Sequence, residues 1–178
     1  LQHQGNGLVG RLPHQPPAGK VAYRIYLTKG SDTFVALTSE PVILRFRNPV
    51  PPWIWIPHVL GMFLTMLLSS RAGLEACIKG TRTYTYVLWT AIFLFVGGFI
   101  LGPVMQKYAF DVFWTGWPIG SDLTDNKTAV ALLAWVLAFW RIKVKRDSRG
   151  WVIAAALLTV VVYLIPHSIM GSELRHVQ

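Results

Sequence analysis

Residues 48–70 read NPVPPWIWIPHVLGMFLTMLLSS, with no Asp, Glu, Lys or Arg among them. A helix needs about 20 residues to cross about 30 Å of hydrocarbon, and this run supplies them. Trp53 and Trp55 stand at its start, where amphipathic rings suit a membrane surface. Three further stretches lack those charges: 83–106, 128–140 and 150–172. The 128–140 stretch is too short to span alone, so its helix is predicted to begin near Leu123 and to carry Asp125, Asn126 and Lys127 in its first turns. The predicted fold is a mainly α membrane protein. It is a bundle of four transmembrane helices, at about 53–70, 84–106, 123–140 and 151–170, within a domain covering 53–172.

Composition agrees with this. Of 178 residues, 53% are hydrophobic and 14% charged, well away from soluble averages. The formal charge of +9 raises nucleic acid as a partner. The basic residues, however, lie where the positive-inside rule puts them and form no nucleic-acid-binding motif, so nucleic acid is set aside. Arg71, Lys79 and Arg82 fall between the first two helices, and Arg141, Lys143, Lys145, Arg146 and Arg149 between the last two. Those connections are expected in the cytoplasm. The middle connection sets Asp111, Asp122 and Asp125 against Lys107 and Lys127 and is expected outside, with both termini. Arg11, Lys20, Arg24, Lys29, Arg45 and Arg47 run against that orientation, but long exported segments escape the rule. The location this implies is a bacterial inner membrane with periplasmic termini. A start at Leu1 is what a cleaved signal peptide or missing upstream residues would leave, and the lone Cys77, placed inside, fits a reducing compartment.

Outward from the first helix towards the amino terminus, 48–52 is a stiff proline connector. Val21, Tyr23, Ile25 and Leu27 alternate with polar neighbours, 29–32 has turn chemistry, and Thr33–Thr38 and Pro41–Arg47 follow as short strands. The expectation is a small antiparallel β-meander on the periplasmic side within 20–52, too small to stand alone and so packed on a partner. Residues 1–19, rich in Gly, Pro, Gln and His, read as an extended arm, and 173–178 as an outer tail.

Ile-Pro-His occurs twice, at His58 and His167, and the predicted topology brings both to the outer face beside Asp122, Asp125 and Glu173. Three chemistries use such a cluster. Two imidazoles hold a haem iron; His58 and His167 with Asp122, Asp125 or Glu173 hold a divalent metal such as zinc or copper; or a histidine and a carboxylate bind a quinone head group in an apolar pocket. The preferred reading is structural, with no cofactor. Pro57 sits in a first helical turn and Pro166 ends a helix, His167 meets a helix dipole, Asp122 or Thr124 caps the third helix, and Lys127 snorkels outward. Gly98 to Gly102 and Ala134 to Ala138 have the spacing of close helix contacts.

No Gly-rich phosphate loop, Gly-x-Ser-x-Gly, His-Glu-x-x-His or Cys-x-x-Cys-His occurs. The functional expectation is a non-catalytic accessory or assembly subunit of a larger membrane complex, respiratory or photosynthetic electron transfer being the preferred host. Its partners would be other membrane subunits, met through the arm and the helix faces, together with lipid. The alternative is a redox or metal-binding membrane protein with a haem, metal or quinone site around His58 and His167.

Overall fold

The computed structural model describes residues 2–5, 7–35, 40–145 and 148–166. These fall into two compact units, one up to Asn48 and the other from Pro49.

The first unit is made of hairpins. β1 (Gln2–Gln4) pairs antiparallel with β2 (Gly7–Val9) across a turn in which Gly5 takes φ 60, a backbone state open to glycine without steric cost. The segment expected as a featureless arm therefore contains a hairpin; strands of three residues are too short to show alternation. The later part of the arm closes on the end of the following ribbon, where Ala18 N–H donates to the Phe46 carbonyl at 2.9 Å and His14 meets the Phe46 ring edge-on.

That ribbon departs from the expected meander. β3 (Lys20–Tyr23) pairs with β6 (Val42–Arg45), and β4 (Tyr26–Lys29) pairs with β5 (Asp32–Val35) around Gly30. The third expected strand thus returns to the first instead of lying on the second, giving a long two-stranded ribbon interrupted at Arg24 and Ile25. Alternation running unbroken from Lys20 to Lys29 conceals that break, because it reports which face a residue takes and not which strand lies beside it. The end of the expected second strand, 36–38, lies outside the described residues.

The second unit is helical. α1 (Pro52–Cys77) starts on two prolines, Pro51 as its cap and Pro52 in its first turn, where a missing N–H costs little. It therefore begins before Trp53, and Pro57 lies inside the helix and not in its first turn as the sequence suggested. α1 also runs seven residues beyond the predicted Ser70, because Arg71 and Glu75 pair one turn apart at 2.7 Å and the small Ala72, Gly73 and Ala76 stay buried. α2 (Thr83–Phe110) is α-helical to Phe93, π-helical over Leu94–Leu101 and α-helical again from Gly102. α3 (Leu123–Val144) is capped by Asp122, whose carboxylate accepts from Thr124 N–H at 2.7 Å. α4 (Arg149–Leu164) stops before Pro166, short of the predicted 170.

Each helix packs on two others: α1 on α2 and α4, and α3 on α2 and α4. Contacts run in opposite sense along each pair: Gly61 with Gly97 and Arg71 with Tyr86, Gly98 with Thr128 and Tyr84 with Phe139, Trp135 with Thr159 and Lys127 with Ile165, Met62 with Tyr163 and Gly73 with Ala156; all four neighbouring pairs are therefore antiparallel. The end that holds the 111–122 connection is labelled outer and the opposite end, which holds 78–82, is labelled inner, after the orientation expected from the sequence. Trp135, 0% exposed, fills the middle, its indole N–H donating to Thr159 Oγ1 at 2.8 Å. Ala72, Val87, Leu94, Ala131, Ala138, Val152 and Ala155 belong to the same buried cluster.

The bundle is apolar outside and small or hydroxylated inside. On α1 the buried positions are Ile54, Gly61, Thr65, Ser69, Ala72, Gly73, Glu75 and Ala76, while Phe63, Leu67 and Leu74 are exposed. Small residues at the seam let helix backbones approach, and the buried threonines return their hydroxyls to their own helix, as Thr65 does to the Gly61 carbonyl at 2.8 Å. α1 and α2 are long and apolar enough to cross a membrane.

Candidate functional site

The outer end gathers the polar residues that the sequence singled out, and most of them hold backbone. Asp125 Oδ2 accepts from Thr115 N–H at 2.6 Å, from Thr115 Oγ1 at 3.1 Å and from Gly116 N–H at 3.1 Å. Asn126 Oδ1 accepts from Trp117 N–H at 2.6 Å. Two adjacent residues in the first turns of α3 thus fasten the loop that precedes the helix, with the Gln106 amide 2.7 Å from Thr115 Oγ1 at the edge of the same cluster. A Cβ at Gly116 would stand 2.7 Å from Asn126 Oδ1 and from Asp125 Cβ, so glycine is needed there for the loop to approach.

Lys127 does not snorkel outward. Its side chain is buried across the bundle, and Nζ donates to the Ile165 carbonyl at 2.6 Å. The carbonyls at the end of a helix have no partner within it, and Pro166 offers no N–H to continue the ladder. A cation there also complements the negative end of the α4 dipole. Lys127 meets this helix end; His167, expected there from the sequence, and Glu173 lie outside the described residues.

His58 sits half-buried on α1 facing the π-helical part of α2. Its Nδ1 is 2.8 Å from the Gly97 carbonyl, and a Cβ on Gly102 would meet its Cε1 at 3.8 Å. A carbonyl only accepts, so Nδ1 carries the proton and Nε2 keeps its lone pair in the neutral ring. Nothing in the sequence marks Gly97 as the acceptor, because the π-helical stretch is invisible to a 3.6-residue pattern.

Of the five residues named for the outer cluster, Asp122 and Asp125 are engaged as cap and loop anchor, His58 retains one open nitrogen, and the other two are undescribed. Among the described residues no three His, Cys, Asp or Glu side chains come together as a metal site. The three donors at Asp125 all meet Oδ2. At the inner end, Glu75 is buried. It pairs with Arg71 and accepts from Arg82 N–H at 3.1 Å, closing the α1–α2 connection.

Comparison with protein-family models, with curated proteins and with solved structures finds no match in any of the three.

Proposed function

We propose that this chain is a non-catalytic accessory or assembly subunit of a larger membrane protein complex. In this reading all four helices cross the membrane and the hairpin unit lies on the outer, periplasmic side. The observation that carries it is the ribbon's exposed apolar surface. Leu27 and Phe34 stand opposite each other across β4 and β5, 53% and 59% exposed, and Tyr26, Val35 and Ile43 are exposed as well. An isolated two-stranded ribbon is at best marginally stable in water, and aromatic and β-branched residues on its faces are what a protein partner would cover.

Four crossings are supported by the antiparallel packing of α3 and α4 on the two long apolar helices, and by Leu133, Val136, Leu157, Val161 and Leu164 on their exposed faces. α4 is about 24 Å long, so its ends rely on interfacial residues such as the exposed Trp151. Inner loops rich in Lys and Arg set the orientation and a bacterial inner membrane suits it. Electron-transfer complexes, respiratory or photosynthetic, are the proposed hosts because they commonly carry small polytopic subunits.

The test is native electrophoresis after gentle solubilisation. The wild-type chain should migrate with a larger assembly, and a Leu27→Asp, Phe34→Asp double variant should insert normally but migrate free. A wild-type chain that migrates alone as a stable monomer would sink the proposal.

A second reading rests on the open Nε2 of His58. A histidine that ligates a metal commonly hands its other ring N–H to a backbone carbonyl, as His58 does to Gly97. A haem or metal site would give the purified protein haem absorbance or stoichiometric metal, which His58→Ala should abolish; a quinone site would instead show as quinone in the lipid extract.

A further inference from the structure

A cleft of about 570 Å³ opens at the inner end of the bundle, where the α1–α2 connection meets the end of α3 and the start of α4. Its walls include Thr81, Thr83, Tyr84, Lys143 and Arg149, with Ile142 as an apolar patch. Among the described residues the lining holds no Asp or Glu, and neither Lys143 nor Arg149 forms an ion pair. Arg149 Nη1 is shut off from solvent and has no hydrogen-bond partner. A guanidinium donor in that state is costly, and its position aggravates the cost: Arg149 is the first residue of α4, at the positive end of the helix dipole. The helix offers no relief, because its first turn has no acidic residue and Ser148 makes no side-chain cap. α2 begins at the same cleft in the same condition, with neither an acidic first turn nor a side-chain cap. The nearby carboxylate, Glu75, is already engaged by Arg71 and Arg82 N–H.

Among the described residues, two cations without an ion pair, one of them with an orphaned donor, and two helix starts without a side-chain cap meet around one cleft the size of a small-ligand pocket. We infer that the cleft binds a phosphate-bearing anion, with Arg149 and Lys143 as its charged ligands and the Thr81 and Tyr84 hydroxyls beside them. The planar fork of Arg149 suits phosphate oxygens, and the exposed Lys143 adds a point charge at the rim. The phosphate belongs to an anionic phospholipid headgroup or to a soluble phosphate compound. This inference stands apart from membership of a complex, since it concerns the isolated chain.

The full-length chain, purified in uncharged detergent, distinguishes the two sources by its thermal unfolding midpoint. In one arm sodium phosphate is compared with sodium chloride at equal ionic strength; in the other, phosphatidylcholine micelles are compared with micelles containing phosphatidylglycerol. The midpoint should rise with phosphate if the ligand is soluble, and with phosphatidylglycerol alone if it is a lipid. Lys143→Gln should raise the half-saturating concentration about tenfold, the worth of one charge-assisted hydrogen bond, and Arg149→Gln should remove the response. The inference is overturned if neither anion exceeds its control, or if every variant that folds responds like the wild type. Should Arg149→Gln fail to fold, Lys143→Gln decides alone.

Discussion

Asp125 is the residue that fastens the outer loop to the bundle. Its single Oδ2 takes two backbone N–H groups and a hydroxyl from Thr115 and Gly116. Asp125→Ala removes the acceptor and leaves those donors in a partly buried site, where a lost partner costs about 1–3 kcal/mol. The expected loss of stability is about 3 kcal/mol, read as a lower thermal midpoint in detergent. Asp125→Asn keeps one carbonyl acceptor and should lose less than half of that. Equal midpoints for wild type and Asp125→Ala would refute the anchoring role. The sequence did signal that 122–127 needs a polar niche, since ionisable residues do not sit beside lipid without one. It could not name the partners, because Thr115 and Gly116 come from an irregular loop with no period to read. The same limit applied to Lys127: its acceptor is on Ile165, 38 residues away.

At the scale of elements, α1 and α2 approach most closely through a glycine pair. A Cβ on Gly61 would stand 3.1 Å from Gly97 Cα, and one on Gly97 would stand 3.1 Å from the Gly61 carbonyl carbon. Gly61→Val should therefore push the helices apart and cost about 2 kcal/mol, in the range of an overpacked core. Gly150, near the start of α4, has nothing within 4 Å of its Cβ position. Gly150→Ala should stabilise by about 0.5 kcal/mol through helix propensity alone. Paired unfolding curves in one detergent check both, and a Gly61→Val protein as stable as Gly150→Ala would contradict the contact. Glycine spacing pointed to Gly98 and Gly102, and both do meet neighbouring helices, Gly98 at Thr128 and Met62 and Gly102 at His58; the closest backbone approach, however, is at Gly97, within the π-helical stretch. The start of α3 was legible at its Asp122 cap, whereas α4, predicted to run to 170, ends before Pro166. The end of α1 was not legible at Cys77, where the Arg71–Glu75 pair carries α1 past its last apolar run.

At the scale of the molecule, the proposed topology makes a prediction that uses the native cysteine. Cys77 is exposed at the inner end of α1, and Ile119 is exposed in the outer connection. In intact spheroplasts, an impermeant maleimide should leave Cys77 unlabelled and should label an Ile119→Cys variant, with Cys77 reacting only after permeabilisation. Labelling of Cys77 in sealed spheroplasts would reverse the orientation. The aromatic residues agree with two interfaces: Trp53 and Trp117 are exposed towards one end, and Trp140 and Trp151 towards the other, flanking the Arg141 guanidinium at 5.9 and 5.2 Å. By itself the sequence determined the mainly helical class, the number and approximate places of the helices, and strands near 20–29 and 41–47, because hydrophobic runs and alternation are local quantities written residue by residue. Tertiary structure alone decided that the ribbon closes on its own first strand, that Asp125 and Asn126 hold a loop and that Lys127 caps α4. Each of these is a pairing between residues distant in the chain, and a pairing has no local period from which to be read.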